Sequence, residues 1–286
     1  MADRPVILIT GASSGIGEAL ASELARRRPT ARLVLTARRL DRLDRLADEL
    51  RRTFPGVETQ TIPADLGEPE GPARLASAVL ERAGGVDILV NNAGLGLPIQ
   101  FVDAEPDQVA RQLAVNLTAP LMLTRYLVPS LIDRKGTIIN IGSAITCVAT
   151  SALGAYGATK AGLAYWNDAL RRELIPMGVR VCLVEPGPIK TGFMEAVESR
   201  LPAGESYDRV IDNVMPWMTA DVRDVARKVA GLVDRPRRRL SMLKRVVWPF
   251  RVLGTLATLC PPLGDLVVVR LTRRPLAPPR TAEKAL

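Results

Sequence analysis

Short, nearly continuous apolar runs alternate along the chain with longer stretches whose apolar residues recur every three or four positions. The runs are residues 6–10, 33–36, 57–62, 86–91, 137–141 and 179–184. Continuous rather than alternating apolarity marks strands buried on both faces. The periodic stretches, 15–28, 40–53, 69–83, 106–133 and 155–177, predict helices. Strand–helix–strand order repeated in this way predicts an α/β fold built on one doubly wound parallel sheet, with helices on both faces. After residue 184 the alternation stops. Residues 192–219 are irregular, 221–233 read as a helix with Asp221 near its start, and 237–242 fit one last strand.

Composition narrows the chemistry. With 286 residues there is room for one large α/β domain and a full core. The absence of histidine removes Ser-His and Cys-His catalysis, histidine general bases and histidine metal sites. The cysteines, Cys147, Cys182 and Cys260, are scattered with no CxxC, which argues against a thiolate metal site or disulfide framework and for a reducing cytoplasm. No signal peptide and no apolar stretch of spanning length is read from the sequence. The net charge of +9 is confined to one end. Residues 235–286 hold 12 basic and 2 acidic side chains, and the remainder is close to neutral. Only this tail calls for an anionic partner.

Gly11-Ala12-Ser13-Ser14-Gly15-Ile16-Gly17 directly follows the first strand and opens the first helix. Glycines there let the backbone turn tightly and approach a pyrophosphate, and the helix start supplies free N–H groups. Tyr156 and Lys160 are four apart, so a helix puts them on one face. A nearby ammonium would stabilise a phenolate and lower the tyrosine pKa, which suits a proton donor in a chain without histidine. After the second strand the sequence reads Thr36-Ala37-Arg38-Arg39. An NAD-selective site places a carboxylate at this point, whereas arginine accommodates a 2′-phosphate. Ala37 removes the carboxylate, so Arg38 and Arg39 point to NADP(H).

The Gly-x3-Gly-x-Gly spacing, followed in order by further motifs, resembles the classical short-chain dehydrogenase/reductase family over residues 5–235. The motifs are Asp65-Leu66, Asn91-Asn92-Ala93-Gly94, Asn116, Ser143, Tyr156-x3-Lys160 and Pro186-Gly187-Pro188-Ile189-Lys190-Thr191. The resemblance implies a Rossmann-type fold and an oxidoreductase interconverting a carbonyl and an alcohol. It implies catalytic roles for Asn116, Ser143, Tyr156 and Lys160. It further implies dinucleotide contacts from Asp65 and Leu66 at the adenine, from Asn92, Ala93 and Gly94 beside it, and from Pro186, Gly187, Ile189 and Thr191 at the nicotinamide. Residues 1–235 would form the dinucleotide-binding and catalytic domain, with 192–219 in the substrate-lid position, and 236–286 a C-terminal extension. The alternative is a non-catalytic dinucleotide-binding regulatory or scaffold protein, against which the complete Asn116, Ser143, Tyr156 and Lys160 set argues.

The lid contains Phe193, Met194, Val197, Val214, Met215, Trp217 and Met218, and further apolar candidates are Leu95, Leu97, Ile145, Val148 and Leu153. These residues fit either a small lipophilic carbonyl or alcohol substrate or internal packing of the lid. Two stretches, residues 92–97 and 187–195, are similar to 17β-hydroxysteroid dehydrogenases. The tail mixes Lys244, Arg245 and Arg251 with Leu243, Val246, Val247, Trp248 and Phe250. Such a mixture fits an interfacial segment on an anionic membrane, or alternatively an arm used in oligomerisation. Nucleic acid is not expected, because the cations are interleaved with apolar side chains. A homodimer or homotetramer is expected.

Overall fold

The computed structural model describes residues 4–97, 100–147, 149, 152–189, 220–242 and 255. The expected lid, Thr191 and the tail beyond Met242, apart from Thr255, lie outside the described residues.

Seven parallel strands form one sheet in the order β3-β2-β1-β4-β5-β6-β7. They are β1 (Val6–Thr10), β2 (Arg32–Ala37), β3 (Glu58–Pro63), β4 (Ile88–Asn91), β5 (Thr137–Ile141), β6 (Arg180–Glu185) and β7 (Arg239–Ser241). The helices are α1 (Gly15–Arg27), α2 (Leu40–Thr53), α3 (Gly71–Ala83), α4 (Pro106–Leu113), α5 (Ala119–Asp133), α6 (Gly154–Leu174) and α7 (Val222–Asp234). One apolar core lies between the sheet and α1, α2 and α7, where Leu20, Leu24, Leu43, Val225 and Val229 are fully enclosed. A second lies on the opposite face under α3, α5 and α6, with Leu75, Leu123, Leu127 and Leu131. Burying such a side chain contributes about 1.5–3 kcal/mol, so both sheet faces are strongly held. The doubly wound arrangement expected from the alternating pattern is thus what the chain adopts.

Three elements differ from the sequence reading. β3 is an edge strand in which Ile62 alone is buried, because its outer side has no neighbouring strand among the described residues. α3 starts at Gly71, two residues late, because the preceding residues form a turn that the Gly71 N–H closes on the Glu68 carbonyl at 3.0 Å, with Pro72 following in the first helical turn. The stretch 106–133 is not one regular helix: a π-turn, Ala114–Thr118, separates α4 from α5. The last helix is as expected, with Asp221 accepting a hydrogen bond from the Arg223 N–H at 2.6 Å as its N-cap. β7 pairs with β6 as the expected final strand, and Arg239 reaches the buried Glu185 at 3.1 Å.

Candidate functional site

The strand order runs outward in opposite directions from the β1/β4 pair. In such sheets a crevice opens at the carboxyl ends of the strands beside that switch point. A cleft of about 520 Å³ lies there. Thr10 at the end of β1 holds its rim together. Its hydroxyl oxygen accepts from the N–H groups of Asn92 and Ala93, both at 2.9 Å, while Asn92 Nδ2 donates to the Thr10 carbonyl at 2.8 Å. The loop after β4 is thereby pinned to the glycine-rich turn after β1.

Gly11 and Gly15 both have left-handed backbones, with φ of 68° and 61°, which explains glycine at those two positions. Gly17 acts differently. It is buried in α1 and does not face the cleft. A Cβ there would stand 2.4 Å from the Gly11 carbonyl oxygen. The third glycine therefore permits close packing of turn on helix. Ser14 caps α1 in an extended conformation without a side-chain capping bond, leaving its hydroxyl to other partners.

At one end of the cleft stand Arg38 and Arg39. Arg39 Nη2 donates to the hydroxyls of Ser13 and Ser14 at 3.3 and 3.4 Å. Burial, with the Arg42 and Arg38 charges, holds the Arg39 pKa below the usual arginine value. This clustering of cations at one end of the cleft favours a bound phosphate. Together with the glycine cradle it suits a dinucleotide carrying an extra phosphate at its adenosine end. Asp65 and Leu66 line the same end, and Asn92, Ala93 and Gly94 the middle.

At the other end α6 presents Tyr156 and Lys160. The Lys160 ammonium lies 5.8 Å from the centre of the Tyr156 ring and donates to the Ile141 carbonyl at 2.9 Å. Burial pushes the Lys160 pKa down to about 8. Ser143, just past β5, faces the cleft, and its hydroxyl accepts from the Ile145 N–H at 3.2 Å. Pro186, Gly187 and Ile189 close this end, while Thr191 lies outside the described residues.

Asn116 sits in the π-turn and is buried behind the cleft wall rather than lining it. Its Oδ1 accepts from the Leu95 N–H and its Nδ2 donates to the Leu95 carbonyl, both at 2.7 Å, with Thr159 at 3.3 Å. It thus clamps the loop after β4 to α6 next to Lys160. Of the apolar candidates, Leu95, Ile145 and Leu153 face the cleft. Leu97 faces instead a smaller cavity of about 180 Å³, and Val148 and the lid are outside the described residues. Among the described cleft-wall residues that escaped the sequence reading, one carries a charge. Arg111 of α4 reaches across to Asp65 at 2.6 Å, a pairing 46 positions apart that leaves no local trace.

A parallel sheet with a glycine cradle at its switch point, facing a tyrosine–lysine pair, defines a nucleotide-binding protein of the Rossmann type. The short chain dehydrogenase family model matches residues 5–202, and the chain belongs to that family. It is 36% identical over 193 residues to dehydrogenase/reductase SDR family member 7B of Bos taurus, a match covering 66% of this chain and 59% of that protein's length. It is 37% identical over 239 residues to a very-long-chain 3-oxoacyl-CoA reductase of Podospora anserina, covering 75% of this chain and 68% of the other. Among solved structures, L-sorbose reductase from Gluconobacter frateurii complexed with NADPH and L-sorbose superposes with a TM-score of 0.74 at 30% identity, over 84% of this chain and 95% of that one. Among the described residues, no helix is long and apolar enough to cross a membrane.

Proposed function

We propose that this dehydrogenase-family protein uses NADP(H) to interconvert a carbonyl and an alcohol on an apolar substrate, with Tyr156 as the proton donor. The observation that carries the reading is one cleft with the Arg38–Arg39 cations at one end and the Tyr156–Lys160 pair at the other. Bound NADPH supplies the hydride. Arg38 and Arg39 hold the 2′-phosphate, and the N–H groups of the glycine turn hold the pyrophosphate. Tyr156 holds a proton at its phenol oxygen and passes it to the substrate oxygen. The Lys160 ammonium stabilises the phenolate that this transfer leaves. The Ser143 hydroxyl donates to the same substrate oxygen as negative charge develops there. Asn116 positions the Leu95 loop and α6.

The relatives' names do not set the substrate, since one is named for L-sorbose and another for a 3-oxoacyl-CoA. Leu95, Ile145 and Leu153 on the cleft wall, with the apolar composition of residues 192–219, support a lipophilic carbonyl, of a steroid, a lipid or another apolar compound. A carbonyl panel followed by NADPH absorbance tests this. Turnover should appear with apolar ketones or aldehydes and fall about 10²–10⁴-fold in Tyr156→Phe, with NADPH binding kept. NADPH binding without turnover of any carbonyl would support a non-catalytic dinucleotide-binding protein instead.

The tail composition supports peripheral attachment to an anionic membrane surface of a protein that otherwise works in the cytoplasm. The homodimer or homotetramer reading is supported by Met122 and Tyr126 on α5 and Tyr165 on α6, large apolar side chains exposed on neighbouring helices.

A further inference from the structure

Asp65 is the one acidic residue among the described residues lining the cleft. It stands at the end where the 2′-phosphate of NADP(H) is proposed to bind, and like charges disfavour each other there. Its environment keeps it ionised: burial pushes its pKa up, but the Gly67 N–H bond and the Arg111 and Arg38 charges bring it below the usual carboxylate value. Oδ1 accepts from Gly67 N–H at 2.8 Å and Oδ2 accepts from Arg111 Nη2 at 2.6 Å. Both partners of the ion pair are about two-thirds buried, so water screens it only in part. The guanidinium lies close against Gly67, where a Cβ would meet Nη1 at 3.0 Å and the guanidinium carbon at 3.1 Å. That glycine leaves room for it.

We infer that Arg111 is a specificity-determining residue for the 2′-phosphorylated cofactor, acting by neutralising Asp65 so that Arg38 stays available to the phosphate. The inference rests on the NADP(H) reading above. Without Arg111 two effects act in one direction. The Asp65 carboxylate repels a 2′-phosphate, and Arg38, its remaining near cation, is drawn toward it. NADH has no 2′-phosphate and is indifferent to both. A purely structural tie between α4 and the loop after β3 would instead weaken the two cofactors alike.

The test is dissociation constants of NADPH and NADH, by cofactor fluorescence at low ionic strength. The proteins are the full-length wild type, Arg111→Gln, Arg111→Lys and the double variant Arg111→Gln/Asp65→Asn. The preference for NADPH over NADH should fall about three- to tenfold in Arg111→Gln, the scale of one partly screened charge. It should survive in Arg111→Lys, which keeps the cation, and return in the double variant, which removes the carboxylate. Equal weakening of both cofactors in Arg111→Gln, an unchanged preference, or an Arg111→Lys as poor as Arg111→Gln would each overturn the inference. A wild type that does not prefer NADPH would overturn the cofactor reading itself, whatever the variants do.

Discussion

The Lys160 ammonium is enclosed beneath the Tyr156 ring and held by the Ile141 carbonyl, with burial lowering its pKa to about 8. In the unfolded chain the same group titrates near its ordinary value of 10.5. Between those two values the unfolded chain binds more protons, so this group makes stability rise with pH over that window. Below pH 8 the full cost of burying the charge is present, on the order of a few kcal/mol. Urea unfolding of the cofactor-free protein at pH 7, 8.5 and 10 should show a positive slope that flattens in Lys160→Met. Identical slopes in the two proteins would show that Lys160 is not the buried cation responsible.

Arg38→Ala should weaken NADPH far more than NADH. A charge-assisted bond to phosphate contributes on the order of 1.5–3 kcal/mol, or tenfold and more in affinity. Titration calorimetry with both cofactors checks it, and equal losses would assign Arg38 a structural role.

Gly17→Ala would place a methyl group 2.4 Å from the Gly11 carbonyl oxygen, and 2.7 Å from Asn92 Nδ2. Backbone cannot yield as a flexible side chain does. The turn must shift, and with it the N–H groups proposed to hold the pyrophosphate. NADPH and NADH affinity should fall together by at least tenfold, without the selective loss expected for Arg38→Ala. Wild-type binding of both cofactors in this variant would mean that the turn does not hold the dinucleotide.

The tail is tested by a cut after Leu243, which keeps β7 and every residue of the cleft. Full-length protein should sediment with anionic liposomes at low salt, and the shortened protein should not, while both bind NADPH. Should the intact protein ignore the liposomes and the cut instead dissolve an oligomer, the tail is an assembly arm.

Much of this architecture is legible in the chain. Parallel strands buried on both faces announce themselves as unbroken apolar runs, and Gly11, Gly15, Tyr156 and Lys160 carry their geometry in their spacing. The edge strand β3 is placed by the sequence to within one residue, but its burial is not legible there, because Glu58, Thr59 and Gln60 interrupt the 57–62 run and stay partly exposed. The π-turn is silent for a different reason: one added residue in a long amphipathic stretch barely disturbs its periodicity. Arg111 is invisible because its role depends on Asp65, a residue that only the folded sheet brings near.

The π-turn has a consequence for chain length. The buried positions Gln112, Asn116, Pro120, Leu123, Leu127 and Leu131 recur slightly too slowly for a regular α-helix. Successive α-helical residues are about 100° apart, so an uninterrupted helix would bring Gln112 and Leu131 to different faces. The wider turn absorbs that mismatch. Arg111 can thus face the cleft and Asn116 the Leu95 loop behind its wall, while Leu123, Leu127 and Leu131 stay seated on the sheet. Deleting one residue from Ala114–Thr118 would be unlike any substitution there: it would rotate the site's half of the rod against the core's half, and every other side chain would be retained but aimed elsewhere.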